Sequence, residues 1–194
     1  PGAVDLIPSG GNISFSKVGF AYGTETVGGT RGPEMSYRVL DDFELEVPAG
    51  QSIAIVGRTG SGKSTIARLL MRFYDVQQGS ISLDGQNIAS VTQASLRGAV
   101  GLVPDEPFLF STSVHENIAY GRPGASRESV EKAARAAQAH GFIMALEKGY
   151  DTVIGERGYD LSGGQRQRIS LARLFLQDPS VIILDDSTSS IDVE

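Results

Sequence analysis

The chain has 194 residues, of which 40% are hydrophobic and 21% are charged, as expected of a globular protein with one domain-sized core. Its formal net charge is −6 with no block of basic residues, so general nucleic-acid binding is not indicated. The absence of cysteine excludes disulfides and thiolate metal sites, and no apolar run approaches the roughly 18 residues needed to span a bilayer.

The N-terminal part of the chain predicts a linker followed by antiparallel strands. Residues 1–12 are rich in Pro, Gly and Ser and lack periodicity, which is typical of a linker. Apolar and polar residues then alternate over 13–18 and again over 39–47, which predicts two half-buried strands. The Gly- and Thr-rich residues 23–36 between them predict a long exposed loop.

A glycine-rich motif follows a third predicted strand, residues 53–56, and precedes a helical run at 66–71. It fits G-x-x-x-x-G-K-[ST], whose alternative explanation is a chance glycine turn, but the strand and helix on either side favour a phosphate-binding loop. Its glycines permit a close approach of backbone N–H groups to an anion, Lys63 supplies a mobile positive charge, and Ser64 can ligate Mg²⁺. The motif therefore predicts nucleoside triphosphate binding by Gly57, Thr59, Gly60, Ser61, Gly62, Lys63, Ser64 and Thr65.

The middle of the chain predicts short strands at 79–83 and 96–103, and then a helical subdomain. Phe108 and Phe110 follow a turn and are interpreted as exposed, with ordinary core residues as the alternative. Apolar and small residues recur at helical spacing over 127–146. Residues 181–184 form a continuous apolar run before Asp185, which predicts a parallel strand buried on both faces.

A second glycine motif, Leu-Ser-Gly-Gly-Gln at 161–165, directly precedes a predicted helix at 166–176. Ser162 is suited to cap that helix, and Gly163 and Gly164 leave its N–H groups accessible to an anion. One nucleotide cannot readily occupy both this helix and the phosphate loop of the same chain, so the pair of motifs indicates a site shared between two chains.

Together these two motifs resemble the nucleotide-binding domain of ABC transporters, and the likeness runs from about residue 13 to the last residue. Exporter-type features are residues 152–158 before the signature motif, residues 108–118 facing transmembrane coupling helices, and a D-loop at 189–192. Tyr22 resembles the aromatic residue that stacks on adenine, although it could be a strand-face aromatic. The resemblance implies an α/β, RecA-like P-loop NTPase fold: a parallel-sheet core with an N-terminal antiparallel β subdomain and an inserted α-helical subdomain.

The resemblance also implies domain limits, ligands and partners. It implies a single domain over 1–194 that is truncated after the D-loop. Within it, residues 1–12 are the linker, 13–90 the β subdomain and P-loop core, and 91–157 the helical subdomain. Residues 158–194 carry the signature, the Walker B strand and the D-loop. It implies ATP and Mg²⁺ as ligands, an ATPase activity, a second nucleotide-binding domain and transmembrane coupling helices as partners, no nucleic acid, and a position at the cytoplasmic face of a membrane. The nucleotide of the second chain would meet Ser162, Gly163, Gly164 and Gln165, while the metal would be held by Ser64, Asp185 and Asp105.

The chain departs from the family pattern at the residues expected to drive hydrolysis. Asp186 stands where the family usually has the glutamate that polarises water, and its carboxylate is one methylene shorter, although Asp186 could instead be a strand-end acid near Mg²⁺. Asp105 stands where glutamine is usual, and an ionised carboxylate cannot donate a hydrogen bond. These departures predict the weakly hydrolysing half of a heterodimeric exporter, with Asp186, Asp185, Lys63 and Asp105 as catalytic candidates. An ATP-binding regulatory module with little turnover is the alternative, and a DNA-repair or translation protein is disfavoured because coiled coils and basic extensions are missing.

Overall fold

The computed structural model describes residues 2–23, 38–155 and 160–185. The chain forms two compact units, Pro1–Ala99 and Val100–Glu194. The predicted loop at 23–36 falls almost entirely outside the described residues.

The first unit is built on a four-stranded antiparallel sheet with the order β2-β1-β3-β4. Its strands are β1 (Ile13–Ala21), β2 (Arg38–Val47), β3 (Gln78–Leu83) and β4 (Gln86–Asn87). The first strand pairs with both β2 and β3, and its register shifts between Phe15 and Val18, where Lys17 has a φ of 47°. The predicted antiparallel N-terminal sheet is therefore confirmed.

Two helices complete this unit: α1 (Lys63–Leu70) directly follows the glycine motif, and α2 (Gln93–Ala99) ends it. The predicted strand at 53–56 is wrong, because residues 51–58 adopt no regular structure in the region described. The side chain of Val56 is 88% exposed, and Ile53 and Ile55 are also exposed. An extended apolar segment becomes a strand only when a neighbouring strand accepts its hydrogen bonds, and none does so here.

Residues 9–12, the end of the segment predicted as a linker, are held by one carboxylate, while Leu6 and Ile7 donate to Ser95 and Gln86. Asp84, in the turn after β3, accepts hydrogen bonds from the backbone N–H groups of Ser9 (2.7 Å), Gly10 (3.2 Å), Gly11 (2.9 Å) and Asn12 (2.8 Å). Partial burial works against ionisation of Asp84, but these donors outweigh it and hold the pKa of its carboxyl below the ordinary value. We call this arrangement, residues 9–12 with Asp84, the carboxylate clamp.

Replacing Asp84 with asparagine is expected to lower the free energy of unfolding by about 1.5–3 kcal/mol, the usual contribution of hydrogen bonds to a charged group. Asparagine tolerates the positive φ of 51° at this position, so the change isolates the lost charge and acceptor. Because the folded pKa is depressed, the stabilisation is full above the ordinary carboxyl pKa of about 4 and is lost as the pH falls below it. Urea unfolding at pH 7 and pH 3.5 measures both effects.

The matched control for this experiment is Asp42→Asn. Asp42 also has a positive φ, 49°, but it is exposed on β2. An equal loss of stability in both variants would contradict the clamp.

The second unit combines a parallel pair of strands with a helical layer. Strands β5 (Val100–Val103) and β6 (Val181–Leu184) pair in parallel, with Val103 opposite Leu184. The helices are α3 (Val114–Ala119), α4 (Arg127–Ala136), α5 (His140–Met144) and α6 (Gly163–Gln177). Within the described parts of the chain, no helix has both the length and the apolar run that crossing a membrane requires.

The core of this unit lies between α3, α4, α5 and α6, where the small residues predicted at helical spacing are buried. Its fully buried members include Val130, Ala134, Ile143, Ile169 and Ala172. The helical prediction for 127–146 is confirmed, although residues 137–139 divide it into α4 and α5.

Two strand predictions in this region need correction. Residues 96–99 of the predicted strand at 96–103 belong to α2, and only Val100–Val103 is a strand. Residues 181–184 do form a parallel strand, but Ile182 and Leu184 are 49% and 52% exposed, so the predicted burial on both faces is wrong. In the described chain β6 pairs with one strand, β5. That strand hydrogen-bonds to one edge of β6 and does not bury both of its faces.

Candidate functional site

The phosphate-binding motif has the backbone that the sequence predicted around its glycines. Gly60 and Gly62 have φ values of 83° and 94°, in the left-handed region that glycine adopts at low cost. Gly62 is the N-cap of α1, and because glycine has no side chain it makes no capping hydrogen bond to this helix end. The first turn of α1 therefore presents backbone donors and the positive end of the helix dipole.

Steric contacts explain why glycine occupies two positions of the loop. A Cβ on Gly57 would lie 2.7 Å from Ser61 Oγ, and one on Gly62 would lie 3.1 Å from Val39 Cγ1. The loop is tightened by a hydrogen bond from the Ser61 N–H to the Arg58 carbonyl, at 3.1 Å. Residues 57–61, including Thr59 and Gly60, are exposed, so an anion can reach the loop.

The side chain of Lys63 is held over the same loop. Its ammonium donates to the carbonyls of Gly57 (2.9 Å) and Arg58 (3.0 Å). Ser64 is half-buried and Thr65 is 6% exposed. The loop thus gathers one mobile cation and uncapped amides, which is the donor set that a polyphosphate requires.

The structure brings Tyr22 to the phosphate loop. Its hydroxyl lies 3.0 Å from Thr65 Oγ1, and the ring remains 37% exposed. Tyr22 directly follows β1 and meets the first turn of α1, and its role toward a base stays a prediction. No local sequence pattern predicts the Tyr22–Thr65 hydrogen bond.

In the second unit the two described acids follow neighbouring parallel strands at the same end. Asp185 comes directly after β6, and its N–H donates to the Val103 carbonyl at 3.0 Å. Asp105 is exposed two residues after β5, and its carbonyl accepts from Gln167 Nε2 at 3.4 Å. The carboxyl ends of parallel strands are common sites for ligand-binding side chains, and oxygen donors of this kind suit Mg²⁺.

The signature motif forms a capping box at the start of α6. The Gln165 N–H donates to Ser162 Oγ at 3.2 Å, and the Ser162 N–H donates to Gln165 Oε1 at 2.9 Å. Both polar side chains of the motif therefore accept hydrogen bonds from backbone N–H groups at the start of α6. A Cβ on Gly163 would meet only the end of the Arg166 side chain, at 3.9 Å, and both Gly163 and Gly164 are half-buried in the first turn of α6.

An aromatic surface, defined as Phe108, Phe110 and Tyr120, lies on the second unit. The ring centroids of Phe110 are 5.2 Å from Phe108 and 4.8 Å from Tyr120, and Phe108 is 53% exposed. A neighbouring cavity of about 260 Å³ is lined by Leu102, Pro104, Phe108, Phe110, Ser170, Arg173, Leu174 and Gln177. Phe108 is thus exposed as predicted, Phe110 is only half-buried, and Leu109 between them is fully buried.

Two residues that support this surface were missed by sequence reasoning. Arg173 on α6 donates to the carbonyls of Asn117 (2.9 Å) and Phe108 (3.3 Å), and burial lowers the pKa of its guanidinium. Asn117 is fully buried, donates to the Phe110 carbonyl and accepts from the Phe110 N–H, both at 2.9 Å. A polar residue within the apolar face of α3 was the one available signal.

Other predicted residues lie outside the described parts of the chain. They are Asp186, residues 156–158 of the 152–158 segment, and the 189–192 D-loop.

Comparison with known proteins identifies the family. The family model described as ABC transporter matches residues 40–189. The chain belongs to the ABC transporter family. ATP-binding domains of this family are ATPases, and the resemblance found in the sequence is confirmed.

Similar ABC proteins include exporters from distant organisms. The chain is 45% identical over 192 residues to the ATM1-type heavy metal exporter of Novosphingobium aromaticivorans, covering 99% of this chain and 30% of that protein. It is 47% identical over 194 residues to human ATP-binding cassette sub-family B member 6, covering 99% of this chain and 22% of the relative. The chain thus spans less than a third of the length of these relatives.

A solved structure extends the comparison to the fold. The chain superposes on a bacterial Atm1-family ABC exporter with ATP bound, with a TM-score of 0.88 and 45% identity, covering 100% of this chain and 32% of that one. The predicted α/β fold of P-loop NTPase type is confirmed, and the chain is an ATP-binding domain of the exporter type.

The residues of the phosphate loop fit the triphosphate of ATP, since uncapped amides and the Lys63 ammonium converge there. Among the described residues no group of three or more His, Cys, Asp or Glu side chains gathers to hold a metal. Ser64 carries a hydroxyl and Asp185 a carboxylate, and Mg²⁺ prefers oxygen ligands of both kinds.

Proposed function

We propose that this domain binds MgATP through Gly57, Thr59, Gly60, Ser61, Gly62, Lys63, Ser64 and Thr65, with Tyr22 against the base. The observation that carries the proposal is the uncapped start of α1 with the Lys63 ammonium over it. The amides and Lys63 would hold the phosphates, and Ser64, Asp185 and Asp105 would hold Mg²⁺, which neutralises charge developing during phosphoryl transfer.

Titration of the 194-residue chain with nucleotide tests this proposal. MgATP is expected to bind saturably, whereas AMP is expected to bind far more weakly because it lacks the phosphates that the loop recognises. Isothermal titration calorimetry measures both. Absence of saturable binding at millimolar MgATP would overturn the proposed function.

We also propose that the domain pairs with a second nucleotide-binding domain, of a different subunit. The first turn of α6, which begins at Gly163 and Gly164 beside the capping box of Ser162 and Gln165, supports contact with a partner's phosphate through the positive end of the helix dipole. The domain limits given by the sequence, with residues 158–194 carrying the signature and the Walker B strand, are part of this proposal.

The third element of the proposal is coupling to export by a transmembrane domain, at the cytoplasmic face of a membrane. The aromatic surface supports it, because exposed Phe108 and Tyr120 beside a cavity are typical of a protein-binding patch. The exporter relatives support the same assignment. Co-purification of the intact protein with a transmembrane partner, lost on Phe108→Asp and Tyr120→Asp together, would separate this function from a regulatory module.

Finally, we propose that the domain's own hydrolytic site is weak. Asp186 would be the residue closest in role to the family's glutamate, and its shorter carboxylate would sit back from the attacking water. Asp105 can accept but not donate a hydrogen bond when ionised, and it repels phosphate unless metal lies between them. These two substitutions also favour the alternative of an ATP-binding regulatory module with little turnover.

A further inference from the structure

Three aromatic rings meet beside the phosphate loop. The ring centroid of Tyr22 lies 4.9 Å from that of Phe20 and 5.2 Å from that of Tyr74. The planes are nearly perpendicular, at 85° and 87°. The third pair, Phe20 and Tyr74, is separated by 5.6 Å. Tyr22 is therefore supported from two directions, and neither neighbour is stacked parallel to it.

The backbone that carries Tyr74 is fixed by the turn after α1. Arg72 has a φ of 51°, and its guanidinium donates to the carbonyls of Ile88 (3.2 Å) and Val91 (2.9 Å). The Phe73 N–H donates to the Arg68 carbonyl at 2.9 Å. The turn thus places Tyr74 against Tyr22 from an anchored position.

Core packing alone explains Tyr74 poorly. Its side chain is 44% exposed, whereas Phe20 beneath it is 3% exposed. Tyr74 packs on the half-exposed Tyr22 and on the buried Phe20, and with nearly half of its own side chain exposed it adds less buried area than a core residue does. Its perpendicular contact does, however, restrict the directions in which the Tyr22 ring can face, because edge-to-face pairs have a preferred geometry.

We propose that Tyr74 is a positioning residue for nucleobase binding. It holds the Tyr22 ring, which the hydroxyl contact with Thr65 ties to the phosphate loop, in the orientation that stacks on a planar base. This inference rests on the proposed role of Tyr22 as the base-stacking residue. Tyr74 then affects the base-dependent part of nucleotide affinity and leaves the phosphate-dependent part unchanged.

Binding of MgATP and of magnesium tripolyphosphate, measured by calorimetry on the same chain, separates these two parts. Tyr74→Leu is expected to weaken MgATP binding by about 3- to 10-fold, the range expected for one aromatic pair. Tripolyphosphate binding is expected to change by less than about 2-fold, since that ligand has no base. Tyr74→Phe keeps the ring and is expected to bind both ligands as the unchanged chain does.

A double-mutant cycle with Tyr22→Ala gives the decisive comparison. In that background Tyr74→Leu is expected to have no further effect on MgATP, because the ring that it orients is gone. Phe175→Leu, which removes an aromatic ring that is 40% exposed on α6, is the control and is expected to leave both affinities unchanged.

Several outcomes would overturn the inference. Equal weakening of both ligands by Tyr74→Leu would show a structural role, and a persistent loss in the Tyr22→Ala background would show an action that bypasses Tyr22. If the unchanged chain bound MgATP and tripolyphosphate with equal affinity, the base would contribute nothing to the affinity, although the loop would still bind phosphate. Failure to bind either ligand would overturn the proposed function as well.

Discussion

Replacement of Lys63 by alanine is expected to weaken MgATP binding by about 10- to 150-fold. The estimate corresponds to the roughly 1.5–3 kcal/mol that a hydrogen bond to a charged group contributes. The ammonium already lies over the loop, bonded to the carbonyls of Gly57 and Arg58, and a phosphate would take over those bonds. Calorimetric titration of the purified variant measures the loss.

The control for this variant is Lys132→Ala, which removes the same charge from an exposed position on α4. It is expected to bind MgATP as the unchanged chain does. If both variants lose affinity equally, general electrostatic attraction rather than the loop holds the nucleotide, and the site assignment fails.

Replacement of Asp186 by glutamate is expected to raise ATP turnover of the assembled transporter, by up to about 100-fold. The added methylene advances the carboxylate by roughly 1 Å, and misplacement of a catalytic group on that scale can cost about 10²-fold in rate. The affinity for MgATP is expected to stay the same, because the change acts on the attacking water. Steady-state phosphate release by the complex with its partner subunit measures the effect.

Asp185→Glu provides the matched comparison, since it adds the same methylene to the neighbouring acid. Because Asp185 is proposed to hold Mg²⁺, lengthening its side chain displaces a metal ligand. ATP turnover is therefore expected to fall rather than rise. Unchanged turnover of Asp186→Glu with intact binding would mean that carboxylate reach does not limit the site. A partner subunit carrying the same aspartate would contradict the proposed asymmetry between the two halves.

The features that the sequence predicted well depend on short-range chemistry. Ser162 caps α6 as predicted, because its Oγ accepts from the N–H of Gln165 only three residues away. The glycines at 60 and 62 have the positive φ values that the phosphate-loop spacing requires. Such local rules need no knowledge of the rest of the fold.

The strand predictions failed where the outcome depends on neighbouring strands. The apolar run at 53–56 predicts a strand, but an extended segment forms a strand only when another strand pairs with that segment. At residues 96–99 the periodicity of a short apolar segment did not distinguish a helix end from a strand. The exposed Ile182 shows the same limit, because burial on both faces depends on elements far away in the sequence.

Contacts between distant residues could not be predicted at all. Tyr22 and Thr65 are separated by 43 positions, and Arg173 reaches Asn117 over 56 positions. No local pattern encodes either pair. Both of these contacts organise proposed functional surfaces, so the sequence located the site and the structure supplied its supporting residues.

The carboxylate clamp has a mechanical consequence for the chain that leads into the first unit. Consecutive amides from Ser9 to Asn12 all converge on Asp84. A pulling force applied ahead of Val4 would first load the hydrogen bonds of Val4, Leu6 and Ile7 to residues 86–95. Once these had broken, the force would reach the clamp at Ser9 and pass through one shared carboxylate to the turn after β3.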